Sequence, residues 1–220
     1  MELLKKLQIK TTNFALYEQA LTHTSYANEY DVASYERLEF LGDAVLQLVI
    51  TEYLFQTSDE DEGVLTKKRA SLVCEQALYI YGDKIGISDY IKLGRGEREA
   101  GSATNKAIIA DITEAFLGAL FLDKGYYGVQ NFVWENIIPL IEQEAEKFLV
   151  DYKTRFQELV QTEKKSLAYV LLSETGPAHD KQYEIAVQVD GITYGVGKGS
   201  SKKEAEQNAA KAALEKSVSK

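Results

Sequence analysis

Three acids stand in the run Glu36-Arg37-Leu38-Glu39-Phe40-Leu41-Gly42-Asp43, and two more in Ile109-Ala110-Asp111-Ile112-Thr113-Glu114-Ala115-Phe116. On a helix, steps of three and seven residues bring Glu36, Glu39 and Asp43 within about a sixth of a turn, so all three leave one face. Asp111 and Glu114 repeat the three-residue step. Both sets have apolar neighbours: Leu38, Phe40, Leu41 and Ala44 in the first, Ile108, Ile109, Ala115 and Phe116 in the second. Acids so flanked belong to the edge of a buried face. Carboxylates converging there repel one another and take up protons unless a cation intervenes. The competing explanation is an acidic face bathed in solvent, common because glutamate is a good helix former. Spacing alone leaves both open.

The rest of the composition narrows the metal. Only His23 and His179 are available and no Glu-x-x-His occurs, which argues against a carboxylate di-iron bundle. One cysteine, Cys74, and no paired histidines argue against zinc. An all-oxygen donor set points to Mg²⁺, with Mn²⁺ as a substitute.

A second constellation lies in Gly197-Lys198-Gly199-Ser200-Ser201-Lys202-Lys203-Glu204. Ser201 is placed to cap a helix, with Glu204 three residues on completing a capping box. Free backbone N–H groups and Lys198, Lys202 and Lys203 then meet at one helix start, an arrangement suited to a phosphate backbone. A plain capped surface helix with solvated lysines is the alternative. His179, in the loop over residues 175–180, and Gln157 and Glu158, on a preceding helix, offer further polar contacts.

Helical periodicity over residues 35–55, 66–81 and 106–122 supplies the elements that must carry the first set, with a fourth helix over 129–148 broken at Pro139. Glycines at 63, 94, 96 and 101 punctuate them, and no strand-like alternation occurs. After the charged stretch 142–151 the pattern changes. A helix over 152–161 is followed by β-branched and aromatic runs at 168–173, 183–189 and 192–196, with Asp190-Gly191 as a hairpin turn, then a helix over 202–216. The expected architecture is an all-α domain over residues 1–147, a linker at 148–151, and a small α+β domain of order α-β-β-β-α over 152–220.

The charge follows this division. The whole 220-residue chain carries −9, yet residues 151–220 are net +1, leaving −10 on the first 150. The longest apolar stretches fall well short of the ~20 residues that span a bilayer. The charged start, MELLKKLQIK, does not resemble a signal peptide. A single cysteine fits a reducing cytoplasm, so a cytoplasmic protein without membrane association is expected.

At these motifs the chain resembles bacterial ribonuclease III over essentially its whole length. Glu36 to Asp43, continuing through Ala44, matches the family's nine-residue signature. Leu21-Thr22-His23-Thr24-Ser25-Tyr26-Ala27-Asn28 and the run from Ile109 through Ala119 match as well. The tail resembles a double-stranded-RNA-binding domain through Asp151-Tyr152-Lys153-Thr154, Gly176-Pro177-Ala178-His179 and Gly197 to Lys203. The resemblance implies an endoribonuclease that cleaves double-stranded RNA, leaving 5′-phosphates, 3′-hydroxyls and short 3′ overhangs. It further implies roles in ribosomal RNA precursor processing and in mRNA and small-RNA maturation or decay. Carried over by position, Glu39, Asp43, Asp111 and Glu114 are the metal ligands, with Asp43 and Glu114 as the catalytic pair and Glu36 and Glu62 as outer acids. Gln157, Glu158, His179, Lys198, Ser201, Lys202 and Lys203 would bind RNA, across the minor groove and its flanking phosphates. Phe40 would enter the partner subunit of a homodimer; an ordinary core aromatic is its alternative. The rival function is a non-catalytic double-stranded-RNA-binding dimer. One departure is the loop 101–106, with a single basic residue where relatives often have several. Together with the weakly basic tail, it implies weaker RNA affinity at physiological salt and a flatter salt dependence.

Overall fold

The computed structural model describes residues 2–143, 152–162, 165–177 and 181–218. The chain divides into two compact units, Met1–Leu149 and Val150–Lys220. The expected linker, 148–151, and His179 lie outside the described residues.

The described part of the first unit is built from helices: α1 (Glu2–Lys6), α2 (Phe14–Ala20), α3 (Thr24–Tyr30), α4 (Glu36–Thr57), α5 (Glu62–Leu72), α6 (Glu75–Ile85), α7 (Arg95–Glu99), α8 (Lys106–Asn136) and α9 (Ile138–Gln143). Helix α8 is apolar on nearly every side between Ile108 and Leu120 and is buried there, as a helix hydrophobic all round must be. Helices α2, α4 and α6 pack on it.

The α4–α8 crossing is the tightest contact that bears on function. A Cβ at Gly42 would lie 1.8 Å from the carbonyl oxygen of Glu114, and one at Gly118 would lie 2.1 Å from that of Leu38. Glycine at both positions lets backbone meet backbone.

Two helix expectations are corrected. The stretch 66–81 is two helices, α5 and α6, meeting at Val73-Cys74. The buried Tyr81 hydroxyl donates to the Leu72 carbonyl at 3.0 Å, replacing the helical partner that this carbonyl gives up at the break. Residues 106–122 and 129–136 belong to one run interrupted only at Gly125 (φ 70°, ψ −172°). Pro139 sits in the first turn of α9, where a missing N–H costs nothing.

The second unit has the expected order: α10 (Tyr152–Thr162), β1 (Leu167–Thr175), β2 (Gln182–Val189), β3 (Ile192–Gly199) and α11 (Lys202–Val218). The strands form one antiparallel sheet, β1-β2-β3. Asp190 and Gly191 both adopt positive φ (49° and 78°), the conformation that an Asp-Gly hairpin turn selects. Phe156 and Val160 from α10, Val187 and Val189 from β2 and Ala209, Ala210 and Ala213 from α11 make the core. Small residues on both sides let β3 and α11 close on each other: a Cβ at Gly197 would lie 2.1 Å from the Ala209 nitrogen.

Candidate active site

The glycine crossing decides what the acids do. Glu39 and Asp43 leave α4 just before and just after Gly42, and Asp111 and Glu114 leave α8 in the two turns before Gly118. With the two backbones in contact, the four half-buried carboxylates come near enough that Asp43, Glu39 and Asp111 all act on Glu114. Glu114 is pushed up to about 8, first by burial and then by Asp43, Glu39 and Asp111. Glu39 is raised by burial and by Asp111, Glu36 and Asp43. Burial also raises Asp111; a hydrogen bond from Tyr35 and the nearby His23 work against it, while Glu75 adds to it.

The outer acids differ from one another. Glu36 is exposed, accepts from the Ser34 hydroxyl at 2.9 Å and is felt by Glu39. Glu62 is also exposed, at the start of α5, where it accepts from Thr66 of the same helix at 3.2 Å. Nothing recorded among the described residues joins Glu62 to the other acids.

Three groups at the cluster escape sequence reading. The Tyr35 hydroxyl donates to Asp111 Oδ2 at 3.2 Å. Gln47 Nε2 lies 2.8 and 3.0 Å from the two oxygens of Asp43. Glu75, in the first turn of α6, faces Asp111. The Gln47 contact is an ordinary i,i+4 pair that spacing could have found; the other two join segments far apart in the chain. His23 and Ser25, also nearby in sequence, form a helix cap: His23 Nδ1 accepts from the Ser25 backbone N–H at 3.2 Å.

Among the described residues, no three Asp, Glu, His or Cys side chains are already gathered tightly enough to hold a metal ion. Asp43 and Asp111 each accept from a neutral donor, Gln47 and Tyr35. The residues nonetheless fit a hard divalent ion, being four half-buried carboxylates of which Glu39 and Glu114 are raised by burial and by their acidic neighbours. Two grooves of about 410 and 390 Å³, lined by Lys6, Lys10, Lys84 and Lys124 among others, contain none of these acids.

Phe40, beside Glu39, is 84% exposed, so it is not a core aromatic of its own unit.

In the second unit the start of α11 is capped as a box displaced by one residue. The Glu204 N–H donates to Ser201 Oγ at 3.2 Å, while the Glu204 carboxylate accepts from the Ser200 N–H at 2.8 Å and its hydroxyl at 2.6 Å. Lys202 lies over the Tyr183 ring at 5.8 Å, Lys198 is 3.5 Å from Glu184, and Lys203 is exposed. Gln157 and Glu158 are exposed on α10, Glu158 on the side away from Phe156 and Val160 and Gln157 flanking them.

Comparison with known proteins matches residues 13–141 to the family described as Ribonuclease-III-like and residues 152–217 to the double-stranded RNA binding motif. The chain belongs to the ribonuclease III family. Similar curated proteins are Ribonuclease 3 of Streptococcus gordonii, 48% identical over 92% of this chain and 89% of that protein, and Ribonuclease 3 of Listeria monocytogenes, 45% identical over 99% and 97%. Among solved structures, the ribonuclease III nuclease domain of Campylobacter jejuni is 34% identical, with a TM-score of 0.58 over 62% of this chain and 94% of that one. A region of that domain is described as involved in dimer formation. The first unit here is thus a ribonuclease III nuclease domain and the second a double-stranded RNA binding domain.

Proposed function

We propose that this ribonuclease III family member cuts double-stranded RNA as a homodimer, with Glu39, Asp43, Asp111 and Glu114 holding one or two Mg²⁺ ions that Mn²⁺ can replace. The observation that carries this reading is Glu114, raised to about 8 by burial and then by the field of Asp43, Glu39 and Asp111 across the glycine crossing. A half-buried cluster with that proton affinity is a strained arrangement unless a cation neutralises it.

Held there, Mg²⁺ would supply Lewis acidity toward a water and toward the leaving 3′-oxygen of the scissile phosphate. The chain's part is positional. Glu39 and Asp43 come from α4 and Asp111 and Glu114 from α8, so each helix would supply two of the four ligands. Glu36 and Glu62 serve at the edges, where duplex RNA would pass. The products are 5′-phosphates and 3′-hydroxyls with short 3′ overhangs, and the cellular roles are ribosomal RNA precursor processing and mRNA or small-RNA turnover in the cytoplasm.

Substrate is gripped by the second unit. The capped start of α11, with Ser201 and Lys198, Lys202 and Lys203, takes phosphates, while Gln157 and Glu158, with His179, meet the minor groove. Phe40 supplies the dimer contact, because so large an exposed ring next to a site acid has little use in a monomer.

The test is cleavage of a defined RNA duplex with and without Mg²⁺, with product ends mapped, for the wild-type chain and Glu114→Gln. Mg²⁺-dependent cleavage that Glu114→Gln loses while still binding the duplex supports the reading. Duplex binding without cleavage by the wild-type chain would instead establish the non-catalytic rival.

A further inference from the structure

We infer that Tyr35 is a positioning residue for the carboxylate site: its hydroxyl fixes one oxygen of Asp111 so that the other is presented to the cation. The inference rests on the metal-site reading above.

Tyr35 is held from three directions. Its backbone N–H donates to the Thr22 carbonyl at 3.0 Å, its ring stacks on His23 at 5.8 Å with 24° between planes, and its hydroxyl reaches Asp111 Oδ2 at 3.2 Å. The stacking partner is itself fixed, since the His23 N–H donates to the Lys92 carbonyl at 3.0 Å and its ring accepts from Ser25. Only 6% of Tyr35 is exposed. The hydroxyl therefore has little freedom to leave Asp111.

Position in the chain makes the contact useful. Tyr35 immediately precedes α4, which carries Glu39 and Asp43, whereas Asp111 belongs to α8. The hydrogen bond thus ties the start of one acid-bearing helix to an acid of the other. A carboxylate among like charges rotates away from its neighbours when nothing holds it. With Oδ2 committed to a neutral donor, Asp111 is oriented before any ion arrives and offers Oδ1 alone. Partners of this kind around metal ligands typically matter by about 10- to 100-fold in affinity.

Tyr35→Phe tests this, because it keeps the ring, the stack on His23 and the backbone bond and deletes only the hydroxyl. Mg²⁺ is titrated alone into the full-length, RNA-free protein and followed by calorimetry, with Glu114→Gln as reference. The expected result for Tyr35→Phe is a Mg²⁺ dissociation constant raised about 10-fold. The Mg²⁺ needed for half-maximal cleavage should rise by the same factor, with turnover at saturating Mg²⁺ and duplex binding unchanged. Wild-type Mg²⁺ affinity in Tyr35→Phe, alongside weakened binding in Glu114→Gln, overturns the inference and leaves the metal site standing. Unweakened binding in Glu114→Gln overturns both. A Tyr35→Phe chain that no longer unfolds cooperatively shows a structural hydroxyl and likewise overturns the positioning role.

Discussion

Replacing Gly42 by alanine should damage this protein far more than one methyl group suggests. The new Cβ would stand 1.8 Å from the Glu114 carbonyl oxygen, 2.6 Å from its carbonyl carbon and 2.9 Å from the Gly118 nitrogen. These are backbone atoms of a buried helix and cannot swing aside. Restoring ordinary contact means parting α4 and α8 by about 1.6 Å at the crossing. Over-packing costs about 1–3 kcal/mol, and a backbone obstacle belongs at the upper end. Alanine returns about 1 kcal/mol in helix propensity, leaving a net loss of about 2 kcal/mol. For a unit of this size that lowers Tm by about 4–8 °C. Trp134, the chain's single tryptophan, lies in α8 and reports urea unfolding of the nuclease unit alone. The same displacement carries Glu39 and Asp43 away from Asp111 and Glu114, and misplacement on that scale costs about 10²-fold in rate. Gly63→Ala is the control: nothing lies within 4 Å of a Cβ there, so stability and cleavage should hold. A Gly42→Ala chain with a wild-type urea midpoint and full cleavage would refute the claim that the glycine crossing builds the site.

In EDTA, the nuclease unit should lose stability as pH rises. An unfolded Glu114 ionises near 4.5 while the folded one keeps its proton to about 8, so the loss accumulates between those values and is complete above them. Discounted for partial exposure, it amounts to about 1–2 kcal/mol; Glu114→Gln should flatten that part of the curve of urea midpoint against pH, and identical curves would refute it. Phe40→Ala should shift sedimentation from dimer toward monomer while leaving the unfolding free energy of the isolated protomer, from urea titration, within about 0.5 kcal/mol of wild type, because the ring makes little contact with its own core. Lys203→Ala should weaken duplex binding equally across sequences and reduce the slope of log affinity against log salt by about 1, measured by fluorescence anisotropy. An unchanged slope would remove Lys203 from the phosphate contacts.

What could be read from the sequence divides along the range of the interactions. Acids three and seven residues apart share a helix face by geometry alone, so the two halves of the candidate site are legible in the sequence. That they meet depends on Gly42 and Gly118, whose role is a distance between backbones that no periodicity encodes. The break between α5 and α6 escaped for a related reason: helical spacing persists through Leu72, Val73 and Cys74, and the Tyr81 hydroxyl that accommodates the break arrives from the next helix. Tyr35 and Asp111 stand 76 residues apart, so their hydrogen bond had no local signature.

Phe40 is the more instructive position, because its exposure excludes one of its two alternatives, the core aromatic. Helix α4 buries Leu38, Val45, Leu46, Val49, Ile50 and Leu54, and residue 40 lies about 200° around the helix from residue 38. Leu48 and Phe55, also exposed, fall within about 80° of Phe40. The helix therefore carries a second apolar stripe besides the one that faces α8. A helix packed on one side only needs a single such stripe, and the surplus blurs the amphipathic pattern instead of announcing itself. An extra apolar face beside a row of acids is consistent with the homodimer proposed above. If Phe40 is the dimer contact proposed above, that contact and the carboxylates occupy neighbouring faces of one helix, and a change on either face should be felt on the other.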